Sequence, residues 1–109
     1  MDEERVIKAL SALAHPLRLK VFRALVVTGP AGLTPGVIQE AVGIPATTLS
    51  FHLKELALSG LVTVERASRS LVYRAAYARM NGVLGYLTEN CCTGAACEVN
   101  ESTSSAACC

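Results

Sequence analysis

Between Thr34 and Gly60 the chain carries two helical periodicities separated only by Gly43-Ile44-Pro45, and this spacing constrains the fold more than any other feature. Pro35 suits the first position of a helix, and Thr34 before it offers a side-chain cap. The spacing predicts a short helix over roughly 35–42, ended by Gly43. A second helix is predicted over about 46–59, with Leu49, Leu53 and Leu56 on one face and Gly60 as its C-terminal glycine.

After Gly60 the period changes from helical to two. Leu61-Val62-Thr63-Val64-Glu65-Arg66 and Ser70-Leu71-Val72-Tyr73-Arg74 are rich in β-branched residues and read as two strands with a tip between them. Upstream, Val6, Ile7, Leu10 and Leu13 recur at helical spacing over 3–13. His15-Pro16 breaks that helix and starts another over about 16–28, with Leu17, Val21, Phe22 and Leu25 inward and Arg18, Lys20 and Arg23 outward. A last helix over about 76–90 aligns Tyr77, Met80, Leu84 and Leu87. The order α-α-α-α-β-β-α is mainly helical with one small β-hairpin, a helix-turn-helix followed by a wing. Residues 1–90 form one domain in this reading, and 91–109 form a Cys-rich tail.

A chain of 109 residues in which 51% are apolar leaves much apolar surface exposed when it folds alone, so association is expected. No apolar run approaches the roughly 20 residues of a membrane span, and the charged start Met1-Asp2-Glu3-Glu4-Arg5 is unlike a signal peptide. The expected compartment is the cytoplasm, with no membrane partner. Charge is divided unevenly. All ten Lys and Arg lie in residues 1–79 against six acids, whereas 80–109 hold three Glu and no base. A mildly basic body suits a polyanion.

The predicted 46–59 helix turns Thr47, Ser50, Phe51 and Lys54 away from its leucines, with Thr48 at the margin. Hydroxyls near the N-terminus of such a helix can bond base edges or phosphates in the major groove of double-stranded DNA. Phe51 is a large ring on a solvent face, able to meet a thymine methyl or a neighbouring helix. His52, at the edge of the apolar face, is either a structural hydrogen-bonding group or a DNA contact. Arg66, Arg69 and Arg74 supply a basic hairpin, with Arg69 placed to reach phosphates or the minor groove. The candidate DNA-binding residues are thus Thr47, Thr48, Ser50, Phe51, His52, Lys54, Arg66 and Arg69.

Ala14-His15-Pro16-Leu17-Arg18-Leu19 resembles the A-x-P-x-R-L opening of the second helix in ArsR/SmtB-type metalloregulators. Thr47 to Leu56 is similar to their recognition helix, including S-x-H-L-x-x-L. Ser59-Gly60-Leu61-Val62, the basic wing and Val72-Tyr73 extend the resemblance over about residues 5–88. It implies a homodimer packed through the first and last helices. It also implies a repressor that leaves its operator when a metal or metalloid binds. Two sites common in the family do not transfer. The stretch 33–38 lacks the C-x-C of the best-known arsenic sensors, and 76–90 offers only Glu89 toward a zinc site. Some members are similar in carrying a vicinal Cys-Cys and a third Cys after the last helix, used for trivalent arsenic.

All five cysteines lie in the last 19 residues, at positions 91, 92, 97, 108 and 109. A disulfide scaffold would spread them through the fold, whereas clustered thiols in a reduced compartment suit a soft ligand. In Cys91-Cys92-Thr93-Gly94-Ala95-Ala96-Cys97, Gly94 permits a tight turn and the small alanines let the chain fold back. Three thiolates match the trigonal pyramid of As(III), and equally Sb(III) or a methylated As(III), whose lone pair fills the remaining direction. Zinc prefers four ligands and would need Cys108 or Cys109, and soft sulfur ligands keep Cu(I) and Cd(II) open as well. Cys91, Cys92 and Cys97 are therefore the candidate ligands, with Cys108 and Cys109 read as accessory. The expected function is an arsenite-responsive repressor. The alternatives are a thiol redox sensor and a metal-binding or delivery module that does not bind DNA. No glycine-rich phosphate loop, paired carboxylates or Cys–His arrangement points to an enzyme.

Overall fold

The computed structural model describes residues 2–91. Five helices and one hairpin follow in the expected order: α1 Glu3–Leu13, α2 Pro16–Thr28, α3 Pro35–Val42, α4 Ala46–Leu58, β1 Val62–Ala67, β2 Ser70–Ala75 and α5 Tyr77–Thr88. Local chemistry explains most of the boundaries. Asp2 caps α1 by accepting from the Arg5 amide at 2.9 Å, and Glu3 and Glu4 sit in its first turn, where the helix dipole favours negative charge. His15 precedes Pro16 with an extended backbone and accepts from the Leu17 amide through Nδ1 at 3.2 Å. Thr34 occupies the N-cap of α3 but makes no side-chain cap bond, contrary to expectation; Pro35 alone sets that start.

The end of α4 is a Schellman motif. The Leu61 amide donates to the Leu56 carbonyl at 3.1 Å and the Gly60 amide to the Ala57 carbonyl at 3.0 Å, with Gly60 at φ +83°. This turn aims the chain directly into β1. The hairpin pairs Val62 with Ala75 through to Ala67 with Ser70, so Ser68 and Arg69 form a two-residue tip. Leu33 adds a short third edge: its amide donates to the Tyr73 carbonyl at 2.9 Å, and the Tyr73 amide returns the bond at 2.8 Å. Nothing in the sequence pattern announced this bridge, which ties the entry to α3 to the wing. Gly32 makes it possible. Its φ is +74°, and a Cβ there would lie 2.7 Å from both the Tyr73 carbonyl oxygen and Val72 Cγ1.

The core gathers Val21 and Leu25 of α2, Ile38 of α3, Leu49, Leu53 and Leu56 of α4, and Leu61. The apolar stripes of α1 and α5 are divided between core and surface. In α1 the buried residues are Val6, Ala9 and Ala12, while Ile7 and Leu10 stay exposed. In α5 it is Val83 that is buried, and Leu84 and Leu87 are 52% and 56% exposed. The reason is size: alanines let α1 lie close to the body, which leaves its bulkier residues pointing outward. α5 ends at Thr88, two residues earlier than expected. The Tyr77 hydroxyl anchors its start by donating to the Val26 carbonyl at 3.2 Å.

The two glycines Gly32 and Gly36 separate conformational demand from helix propensity. Gly32→Ala should destabilise the fold by about 2 kcal/mol, because L-residues are penalised at positive φ and the added methyl meets backbone. Gly36, inside α3 with nothing near its missing Cβ, should be neutral or stabilised by up to about 1 kcal/mol on replacement by Ala. Urea midpoints of the two variants check this directly.

Candidate nucleic-acid interface

The exposed side of α4 follows from the buried one. Leu49, His52, Leu53 and Leu56 point inward, and helical spacing then turns Thr47, Ser50, Phe51 and Lys54 into solvent, with Thr48 half-buried between the two sides. Phe51 is 54% exposed. Pro45 is the N-cap of α4 and supplies no side-chain bond, so the first-turn amides are open at the end that carries Thr47 and Thr48. That end combines donors, hydroxyls and the positive pole of the helix, the combination a phosphate or base edge requires.

His52 is corrected. It is only 4% exposed, and its Nδ1 accepts from Arg18 Nε at 3.1 Å. It therefore does not stand on the exposed face with Ser50 and Phe51. The His15 ring lies 4.6 Å from the His52 ring, centre to centre. Arg18, expected outside, is half-buried, with its guanidinium carbon 5.4 Å from the centre of the Phe51 ring. Arg18 is thus a basic residue held beside the recognition face, which the one-helix view of α2 missed. Its signal was the Arg of Ala14-His15-Pro16-Leu17-Arg18-Leu19, read then only as a resemblance.

Arg74 is corrected too. Its Nη1 pairs with Glu65 Oε1 at 2.7 Å and its Nε donates to the Pro30 carbonyl at 2.8 Å, so it braces the wing instead of extending the basic surface. Arg66 and Arg69 remain exposed, Arg69 at the tip, and neither has an ion pair among the described residues. The candidate interface is therefore Thr47, Thr48, Ser50, Phe51 and Lys54, flanked by Arg66 and Arg69 of the wing and Arg18 of α2.

Cys91 is half-buried, three residues beyond the end of α5. Cys92 and Cys97, the other two candidate ligands, and Cys108 and Cys109 lie outside the described residues. Among the described residues no three of His, Cys, Asp and Glu come together as a metal site. No helix among them is long and apolar enough to cross a membrane.

Burial first, then the neighbouring His15 ring and the Arg18 guanidinium, hold the pKa of His52 below its ordinary 6.5. An imidazole that accepts at Nδ1 carries its proton on Nε2, and a second proton would cost the Arg18 bond. The unfolded chain binds that proton more readily than the folded one, so this group's contribution to stability is present above pH 6.5 and is lost as the pH falls toward its folded pKa. Urea midpoints measured from neutral pH downward should fall through this window. His52→Gln, which can still accept from Arg18, should flatten part of the fall.

Known proteins share this architecture. A helix-turn-helix domain family matches residues 13–65. The HTH-type transcriptional regulator NmtR of Mycobacterium tuberculosis is 39% identical over 69 residues, which cover 63% of this chain and 55% of that protein. The chain therefore spans about half the length of NmtR. The crystal structure of the transcriptional repressor BigR from Xylella fastidiosa superposes with a TM-score of 0.62 at 30% identity, over 78% of this chain and 84% of that one. A homodimeric winged helix-turn-helix DNA-binding domain from Mycobacterium bovis, a possible ArsR-family regulator, gives a TM-score of 0.63 at 28% identity, over 80% and 81% of the two chains. These relatives are transcriptional regulators, not enzymes. With its helix-turn-helix, its wing and a 30% identical repressor of which it covers 84%, the chain belongs to the ArsR/SmtB family of winged-helix transcriptional regulators.

Proposed function

We propose that the chain is an arsenite-responsive repressor, a homodimer that holds operator DNA through α4 and the wing and releases it when Cys91, Cys92 and Cys97 bind As(III). The observation that carries this reading is where the cysteine motif begins. Cys91 follows the end of α5 by three residues, and α5 is the helix that turns Leu84 and Leu87 into solvent beside α1, with its exposed Ile7 and Leu10. Two helices with four exposed large apolar residues suit a twofold interface, where each contact occurs twice. The homodimeric relative from Mycobacterium bovis supports the same assembly here.

A ligand gathered at the end of α5 acts on the helix that sets the spacing of two recognition helices. It shifts that spacing only by binding one arrangement better than the other. A 100-fold loss of operator affinity requires about 2.7 kcal/mol of such coupling. Three soft thiolates suit As(III), and Sb(III) and methylated As(III) share the same geometry.

Titrating a DNA-bound sample with arsenite, antimonite, methylarsenite, zinc and cadmium while following release tests the assignment. Cys91→Ser, Cys92→Ser and Cys97→Ser should each bind DNA as the parent does and ignore arsenite. The Cys108→Ser, Cys109→Ser double variant should respond nearly normally. Release by a thiol oxidant but not by arsenite would make the protein a redox sensor instead. Leu84→Glu should give a folded monomer with little operator affinity, read by sedimentation. A stable parent monomer at micromolar concentration would rule the dimer out.

A further inference from the structure

We propose that the groove between α2 and α3 binds an amphipathic carboxylate, an aliphatic acid whose chain lies on the apolar walls and whose head group meets Lys20 and Arg23. The groove is open to solvent and offers about 800 Å³, within the range of small-molecule sites. Leu19 and Val27 of α2 and Val37 of α3 line it and are exposed, while half-buried Leu33 and Val42 line it more deeply. Leaving such side chains in water is unfavourable, so an apolar occupant gains free energy by covering them.

The residues that line the groove carry charge of one sign, while Glu40 lines the adjoining pocket with Val37 and Ala41. Lys20 and Arg23 stand one helical turn apart on its rim, and no acidic residue lines it. Among the described residues neither cation has a hydrogen bond or an ion pair. An anion is therefore the favoured head group, and the predominantly apolar lining selects an aliphatic acid over a nucleic-acid backbone. Position on α2 supports this. Arg18 faces Phe51 and α4, whereas Val27 lies about 180° around the same helix from Arg18 at 100° per residue. The groove thus opens on the side of α2 remote from the recognition face. α3, the first helix of the helix-turn-helix, forms its second wall, so an occupant would touch the DNA-reading unit from behind. The inference stands independently of the cysteine site.

Calorimetric titration of the full chain with decanoate tests it, with decanol and decyltrimethylammonium as the neutral and cationic counterparts. Decanoate should bind saturably with a Kd below about 1 mM, and the two counterparts should bind at least about tenfold more weakly. Lys20→Glu with Arg23→Glu should weaken decanoate binding by about tenfold or more, and the Gln pair should lie between. Val37→Gln should weaken decanoate and decanol alike. Cys91→Ser should leave decanoate binding unchanged, which separates this site from metalloid sensing. Lys20, Arg23 and Val37 are exposed, so thermal melting of their variants should stay near the parent's. Absence of saturation, equal binding of the cationic analogue, or indifference to the charge-reversed pair would each overturn the assignment.

Discussion

Leu49, Leu53 and Leu56 leave almost no surface to water, and they share a helix with Thr47, Ser50, Phe51 and Lys54. Their burial against Val21, Leu25 and Ile38 therefore decides where the polar side points. Truncating a buried leucine of this kind to Ala typically costs 2–5 kcal/mol, about as much as a small domain has to spare. The recognition face is thus held by the same contacts that hold the fold. The Schellman turn at Gly60 extends that control to the wing, because only its hydrogen-bonded residues 59–61 stand between α4 and β1. Orientation of the helix and of the basic hairpin is consequently a single property.

Polar ties trim this frame. Arg18 is bound at long sequence separation to His52 on α4, and Arg74 to the distant Pro30 and to Glu65 across its own hairpin. They do different work. Arg74 sits in an exposed ion pair, which is worth at most about 1 kcal/mol, and its use is to brace the loop before α3 against the wing. Arg18 satisfies a buried imidazole that would otherwise carry an unpaired acceptor, and leaving such a group unmade costs about 1–3 kcal/mol. The side effect is a guanidinium fixed next to Phe51, so a residue serving the interior also adds positive charge to the DNA-reading face.

The fold was legible because its punctuation is strong: Pro16, Pro35, Gly43, Pro45 and Gly60 each stand at or beside an element boundary. The inner face of α4 was legible because three leucines share one side. On α1 and α5 the division of apolar residues between core and surface was not. Periodicity identifies an apolar stripe, but it does not say whether the stripe meets its own chain or remains outside. Ala9 and Ala12 proved to be core, while the larger Ile7 and Leu10 did not. Charged residues were misplaced for a related reason. Arg18 looked free because His52 lies 34 residues away, and the Pro30 carbonyl that Arg74 reaches lies 44 away, a pairing no local pattern encodes. The Leu33–Tyr73 bridge was hidden likewise, since a single pair of backbone bonds leaves no periodic trace.

The apolar surface left over is divided between two places of different character. On α5, Leu84 and Leu87 lie in a stretch, residues 80–91, that holds no Lys or Arg. Such a face can meet its own copy across a twofold axis without opposing like charges. The α2–α3 groove cannot do so as readily. A twofold axis through it would bring Lys20 and Arg23 toward their symmetry mates, and like charges that close repel. Its concave walls also need a projecting partner, and on this side of the molecule the rim offers cations instead. Self-association is therefore favoured at the α5 face, where charge is sparse, and at the exposed apolar residues of α1 beside it. The groove, backing onto the first helix of the DNA-reading pair, is left for a smaller occupant of opposite sign.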